Sequence, residues 1–310
     1  MSPKFADIDT SATLDDQRLT DRMPEKPSAH VIKTSPYYLN NREKFIESIN
    51  SFFIKYRDDL DKESANISCN RRNQKFELLT HQKIIRDYMN IHSPYRGILV
   101  YHGLGSGKTC SSIAIAEGFK SERQIVVMTP ASLQMNYRSE LRKCGAPIYK
   151  YNQHWEFIPS KDNPNLSTMA GLMAIPLDKI PKLKLGKENG LMFVNANKEP
   201  NYNKLPQEEK DLLDKQITAM IEAKYSFLNY NGLRESHLKR LMGKSKNPFD
   251  NKVIVIDEVH NFVSRIANKI TGKDKDDALS IKLYKYLKSA KNARLIFLTG
   301  TPIINYPNEL

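Results

Sequence analysis

Four short apolar runs constrain the fold more than anything else in the chain. They are Gly97–Tyr101 (GILVY), Gln124–Met128 (QIVVM), Lys252–Ile256 (KVIVI) and Arg294–Leu298 (RLIFL). Each is rich in β-formers and apolar almost throughout, which suits parallel strands buried on both faces. Helical stretches at Cys110–Phe119, Leu133–Cys144 and Ser280–Ser289 lie between some of them. Alternation of this kind predicts an α/β fold built on a doubly wound parallel sheet flanked by helices. No internal repeat is evident.

The remaining segments read differently. Residues 1–38 carry scattered Pro, Ser, Thr, Asp and Lys without a sustained period, which predicts a flexible leader. An N-terminal helical extension is expected over residues 39–75. Within it, residues 41–61 set Phe45, Ile46, Ile49, Phe52, Phe53 and Tyr56 at helical spacing, a helix packed on the domain edge or offered to a partner. A second helix is expected around Leu78, Leu79, Ile84, Ile85, Tyr88 and Met89. Residues from about 152 to 250 are rich in Lys, Asn and Pro and read as a basic insertion with its own elements: a strand at Leu191–Asn197, a helix at Glu208–Lys224 and a strand at Tyr225–Leu233. Its basic residues make either a solvated face or a surface for nucleic acid or a partner.

The 310 residues, 40% of them hydrophobic, can bury a real core, and a net charge of +13 attracts polyanions, nucleic acid first among them. Three cysteines, Cys69, Cys110 and Cys144, are odd in number and far apart. They fit neither a disulfide framework nor a zinc cluster, so a reducing compartment is expected. The start MSPKFADIDT lacks the basic and apolar stretches of a signal peptide, and no run approaches a membrane span. A soluble intracellular protein is the expectation.

Three stretches carry chemistry. In YHGLGSGKTC a strand runs through a glycine-rich turn into a helix, aiming backbone N–H groups at one point, as a phosphate requires. Gly105 and Gly107 permit close approach, Lys108 reaches the β- and γ-phosphates, and the Thr109 hydroxyl can coordinate magnesium. His102 stands where the usual signature has Gly. In VIVIDEVHNF a strand delivers Asp257 and Glu258 to its end, the first suited to magnesium and the second to the attacking water. Alone, His260 reads as an ordinary capping or surface histidine. In RLIFLTGTP, Thr299 and Thr301 follow another strand and can sense the phosphates, although TGTP by itself is also an unremarkable turn.

Taken together, the loop, DEVH and TGTP resemble motifs I, II and III of superfamily-two helicases and translocases. LTGTPIINYPNEL is similar to the signature of Swi/Snf-type double-stranded-DNA translocases, and VVMTPASLQMNYRSEL resembles motif Ia. YSFLNYNGL resembles the strand before DExH in that group. SPYRGILVYHGLGSGKTCSSIAIAE and VIVIDEVHNFVSRI resemble helicases of nucleocytoplasmic large DNA viruses, among them the poxvirus early transcription factor small subunit and nucleoside triphosphate phosphohydrolase. In those viruses the His102 form of the loop is ordinary.

The resemblance covers about residues 76–310 and implies a first RecA-like, ATP-binding domain. It implies ATP and Mg2+ as cofactors. By position it assigns Gln82 to adenine; Gly103, Leu104, Gly105, Ser106, Gly107 and Lys108 to the phosphates; and Thr109 and Asp257 to magnesium. It gives Glu258 the attacking water, and has His260, Thr299 and Thr301 couple nucleotide state to grip. Thr129, Pro130 and Ser132 fall to the nucleic-acid backbone, although small hydroxyl residues after a strand are also good helix caps. It further implies double-stranded DNA as partner, a viral RNA polymerase or transcription-factor subunit, and a virion or a viral factory in the host cytoplasm as location. RNA in place of DNA, or a nucleotide-gated binding module, stays open. The second RecA-like domain, source of the arginine finger, is expected to be absent from this chain.

Overall fold

The computed structural model describes residues 4–26, 41–65, 77–90, 92–103, 105–161, 163–242, 245–270 and 279–301. In chain order, the first strands and helices are β1 (Thr13–Leu14), β2 (Gln17–Arg18), α1 (Arg42–Ile54), α2 (Arg57–Ala65) and α3 (Thr80–Tyr88). There follow β3 (Gly97–Tyr101), α4 (Lys108–Phe119), β4 (Gln124–Thr129), α5 (Gln134–Cys144), β5 (Trp155–Pro159), α6 (Leu166–Leu172), β6 (Lys184–Leu185) and β7 (Glu188–Val194). Last come α7 (Gln207–Lys224), β8 (Tyr225–Asn229), α8 (Glu235–Met242), β9 (Lys252–Ile256), α9 (Val259–Ile270), α10 (Leu279–Ser289) and β10 (Arg294–Thr299).

These elements belong to two compact units. One comprises the described residues of Met1–Pro27 and Gly145–Ser226, the other those of Ser28–Cys144 and Phe227–Leu310. All four apolar runs fall in the second unit and form one sheet of order β3-β10-β9-β4-β8. The pairing is parallel from β3 through β10 and β9 to β4, with Thr299 opposite Tyr101, Phe297 opposite Ile256 and Met128 opposite Ile256. The fold class read from the sequence is therefore borne out. Because parallel strands share a direction, their C-terminal ends, with the loops that follow β3, β9 and β10, lie along one edge.

Burial explains why these residues are strands. Every residue of β9 is buried, and Val126, Met128, Ile254 and Ile256 pack against Val259, Phe262 and Ile266 of α9 and Leu283 and Leu287 of α10. Each such side chain contributes about 1.5–3 kcal/mol on leaving water. Helix α4 is buried nearly all round, from Cys110 to Ala116 and again at Phe119, as a helix enclosed by its own domain must be. The segment read as one helix over 41–61 is two, α1 and α2, separated where Tyr56 turns inward at 2% exposure. There Tyr56 joins Phe52, Ile84 and Tyr88, and its hydroxyl donates to Asp87 Oδ2 at 2.6 Å.

The other unit holds the antiparallel sheet β5-β7-β6, with Trp155 of β5 fully buried and its indole N–H donating to the Tyr151 carbonyl at 2.9 Å. Strand β6 pairs with β7 only at Glu188 and Asn189, and further along β7 a side chain takes the place of a strand. Gln216 of α7, itself 0% exposed, accepts from Met192 N at 2.8 Å and donates to Met192 O at 2.7 Å, as a neighbouring strand would. This unit extends over Gly145–Ser226, so the insertion read over 152–250 is corrected: its last part returns to the large sheet through β8 and leads to α8.

The flexible leader is also corrected for residues 4–26. A hairpin pairs β1 with β2, turned by Asp15 and Asp16 at positive φ, and Leu19 and Arg22 are 0% and 1% exposed. Arg22 pairs with Glu156 at 3.2 Å, its carbonyl accepts from Ala196 N, and the Lys4 carbonyl accepts from Leu177 N. The segment is ordered by docking onto its own unit, which leaves no periodicity to read. Residues 27–38 of that leader lie outside the described residues.

The charge is divided unevenly. The unit of Ser28–Cys144 and Phe227–Leu310 has 33 Lys and Arg against 19 Asp and Glu, whereas the other has 15 against 16. The insertion is thus not the basic part of the protein, because its many lysines are matched by acids. No helix among the described residues is long and apolar enough to cross a membrane.

Replacing Gln216 by Leu keeps the volume and strands two buried backbone groups of Met192. Each unsatisfied group costs about 1–3 kcal/mol. Gln216→Leu is expected to lower the unfolding midpoint in urea, followed by far-ultraviolet circular dichroism; an unchanged midpoint would show that β7 does not need this edge.

Candidate nucleotide and coupling site

The loop after β3 is built on two left-handed glycines, Gly105 at φ +79° and Gly107 at φ +75°, the latter capping the start of α4. The left-handed backbone favours glycine at Gly107, where a Cβ would also crowd the Gln82 Nε2 that braces the loop. Lys108 spans the loop, its Nζ donating to the carbonyls of His102 and Gly103 at 3.0 Å each. From the neighbouring helix, His81 Nε2 lies 3.1 Å from Ser106 O, and Gln82 Nε2 donates to Gly107 O at 3.2 Å. His102 donates its backbone N–H to Thr299 O at 3.3 Å, fastening the loop to the end of β10.

At the end of β9, Asp257 is 8% exposed, and its Oδ1 accepts from Glu258 N at 3.0 Å. Burial, then the neighbouring Glu258 carboxylate, push its carboxyl up to about 6; the Glu258 N–H and the Lys108 ammonium pull the other way. Glu258 adopts φ +49°, a conformation costing a non-glycine residue on the order of 1–3 kcal/mol. Tyr230 holds this bend, its hydroxyl 3.2 Å from Asp257 O and 3.3 Å from Glu258 O.

One turn on, His260 Nδ1 stands 2.8 Å from Thr299 Oγ1, 3.3 Å from Thr301 Oγ1 and 3.4 Å from Glu258 Oε2. The Thr299 hydroxyl also accepts from Thr301 N and donates to Thr301 O. Lys108, Asp257, Glu258, His260, Thr299 and Thr301 are thus brought to one edge of one sheet.

Residues 75–304 match the family described as type III restriction enzyme, res subunit. The chain belongs to this family.

Among curated proteins, this ResIII domain is similar to one of Acanthamoeba polyphaga mimivirus named as an ATP-dependent RNA helicase, at 29% identity over 86% of this chain and 36% of that protein. It is also 25% identical to the termination factor NPH-I homolog of African swine fever virus, over 69% of this chain and 21% of that one. A Sulfolobus solfataricus SWI2/SNF2 ATPase core in complex with dsDNA aligns at a TM-score of 0.39 and 22% identity, covering 77% of this chain and 35% of that one. The chain spans about a third or less of these relatives. The resemblance to superfamily-two viral helicases is borne out, and the chain is a helicase-family ATPase domain.

Within this ResIII domain, the described site residues fall into three groups. The loop glycines, Ser106, Lys108, Asp257, Glu258 and the His260–Thr299–Thr301 cluster converge as above, and Thr109 follows Lys108 in the first turn of α4; Leu104 lies outside the described residues. Gln82 is 3% exposed with both amide ends engaged, Oε1 accepting from Leu79 N at 3.0 Å and Nε2 holding the loop, so in this arrangement it braces the loop rather than facing a base. Thr129 closes β4 and Pro130 and Ser132 follow it; Thr129 is 1% exposed and its hydroxyl has no hydrogen-bond partner among the described residues, so in this arrangement that hydroxyl is not presented to a nucleic-acid backbone. Ser132 is exposed and stays compatible with that role.

Tyr230 and His81 are the site residues that the sequence reading missed. Tyr230 was legible only as part of a strand, and His81 only as the neighbour of Gln82. His102 packs edge-on against His81 at 5.4 Å, and burial, His81 and Lys108 hold its imidazole below the usual range, hence neutral near pH 7. The cysteine expectation is corrected too: Cys110 and Cys144, 34 residues apart in sequence, are joined as a disulfide because α4 and α5 pack side by side.

The donor set fits a nucleotide with a divalent cation. Two left-handed glycines form a backbone cradle, and a buried carboxylate burdened by a neighbouring acid is relieved by a cation. The sign follows from the raised Asp257 value. Folding disfavours its ionisation, a penalty absent below the unfolded value near 3.8 and complete above about 6. Asp257→Asn is therefore expected to raise the unfolding free energy at pH 8 by on the order of 2–3 kcal/mol, read as a higher thermal midpoint, and to leave it unchanged at pH 3.5. An equal effect at both pH values would contradict the assignment.

Proposed function

We propose that this domain binds ATP with magnesium and couples hydrolysis to movement on double-stranded DNA, as the first half of a helicase-type translocase serving viral early transcription or its termination. The observation that carries the reading is the convergence of the phosphate loop, the Asp257–Glu258 pair and the His260–Thr299–Thr301 cluster at the ends of three adjacent parallel strands. The names of the viral relatives, a helicase and a termination factor, support it.

The backbone of Gly103, Gly105, Ser106 and Gly107 would cradle the phosphates, and Lys108 would leave its two loop carbonyls for phosphate oxygens. Thr109 and Asp257 would hold the cation, whose chemistry is to neutralise charge developing on the phosphates. Glu258, placed by its bent backbone, orients the attacking water. His260 is shared between Glu258 and the two threonines, so a change at the γ-phosphate is felt at the end of β10. The excess of cationic residues in this unit is the source of attraction to a polyanion. DNA as the track rests on the LTGTP-to-EL signature of residues 298–310.

RNA is the second reading, favoured by the name of the mimivirus relative. ATP turnover by the protein that contains this domain is expected to rise with duplex DNA and to fall at least about 100-fold in Lys108→Ala and in Glu258→Gln. Stimulation by single-stranded RNA alone would replace the DNA reading. Affinity for the nucleic acid is expected to fall steeply between about 50 and 200 mM salt, and a titration insensitive to salt would remove the phosphate-gripping surface.

A further inference from the structure

The nucleotide reading leaves one pair of reactive side chains unused. Cys110 follows Thr109 in the first turn of α4, the helix that the phosphate loop opens. Cys144 is the last residue of α5, the helix reached from β4 through residues 130–133. Their Cα atoms are 5.6 Å apart, and the two sulfurs are joined. The same pocket is furnished for the reduced state. With the sulfurs joined, the Cys110 sulfur lies 3.4 Å from Glu140 Oε2 and the Cys144 sulfur 3.1 Å from the Glu140 carbonyl, so an acceptor already stands beside each sulfur for the thiol that reduction would form. A reduced pair would thus find acceptors within reach on helices that pack side by side. A pair with an acceptor beside each sulfur, on the two helices that flank the nucleotide loop and β4, is placed for exchange as well as for stapling.

We propose that Cys110 and Cys144 are a reversible redox modification site, responding to a small-molecule thiol–disulfide couple, and that the bond clamps the phosphate-loop helix to α5. The exchange balances as two displacements. Cys144, at a helix end that frays, loses its proton to solvent and attacks an exogenous disulfide, forming a mixed disulfide and releasing one thiolate. Cys110 then gives up its proton and attacks the Cys144 sulfur, forming the Cys110–Cys144 bond and releasing the second thiolate; the two protons end on the two released thiols. Tyr137 and Ser112 already join the same helices through a 2.9 Å hydrogen bond, a contact that can slide where the covalent bond cannot. The clamp matters functionally if α4 and α5 shift relative to one another when nucleotide and nucleic acid bind, and that part rests on the function proposed above.

The test uses the chain carrying Cys69→Ser, equilibrated in glutathione buffers from reducing to oxidising. Thiol labelling read by mass is expected to pass from two labels to none and to return on reduction, with slower hydrogen exchange in α4 and α5 of the oxidised form. The factor by which duplex DNA changes nucleotide affinity is expected to be about 5-fold or more in the reduced form and to vanish on oxidation; Cys110→Ser/Cys144→Ser, and Cys144→Ser alone, should hold it at the reduced value throughout. Labelling that stays at two in every buffer, or that never returns after oxidation, would overturn the proposal. So would stoichiometric zinc that protects both thiols until chelated, since Cys110, Glu140 and Cys144 also bring three ligand atoms together. Equal coupling in both redox forms would remove the clamp. A chain that binds neither nucleotide nor DNA would sink the function reading instead, while labelling and exchange still decide the pair.

Discussion

Strand β10 lies between β3 and β9 and pairs in parallel with both, and the rest of the described site depends on that placement. Parallel pairing obliges the three strands to finish at the same edge, so the glycine loop at 103–107, the acids at 257 and 258 and the threonines at 299 and 301, which are dispersed in the sequence, meet without any element being designed to reach another. The His102 N–H to Thr299 carbonyl bond shows how tight the result is, since the loop's first residue is fastened to the strand that ends in the threonines. A strand inserted between β3 and β10 would leave each motif intact and dismantle the site.

At this edge the domain holds two unfavourable features where function wants them. Asp257 and Glu258 are adjacent acids, one buried, and Glu258 bends into a backbone region that side chains avoid. Tyr230 and the buried strand keep both in place. Lys108 eases the Asp257 charge only in part, which leaves the site with a standing preference for a further cation. Stability spent in this way is the usual sign of a site prearranged for a ligand.

The sheet was legible because parallel strands buried on both faces leave uninterrupted apolar runs, and the β9 run matches its strand residue for residue. The phosphate loop was legible because Gly105, Gly107 and Lys108 are fixed by local geometry. What escaped was whatever depends on distant partners. Nothing in the pattern around Tyr230 says that its hydroxyl will brace two carbonyls 27 and 28 residues away. Thr129 looked like a surface hydroxyl but lies in the sheet's interior, and Arg22 looked like part of a loose leader but is buried against Glu156. The cysteines misled for the same reason, since their distance in sequence hid the adjacency of α4 and α5.

The division into two units also sets the chain's one indole apart from the large sheet. Trp155, the sole tryptophan of the sequence, is sealed in the unit of Gly145–Ser226, and the large parallel sheet has none. Indole emission therefore watches the smaller unit by itself, while the tyrosines of the sheet unit remain a background that selective excitation avoids. A nucleotide entering at the glycine loop would change that emission only if its effect crossed from one unit to the other, which makes a native fluorophore a gauge of communication that needs no label.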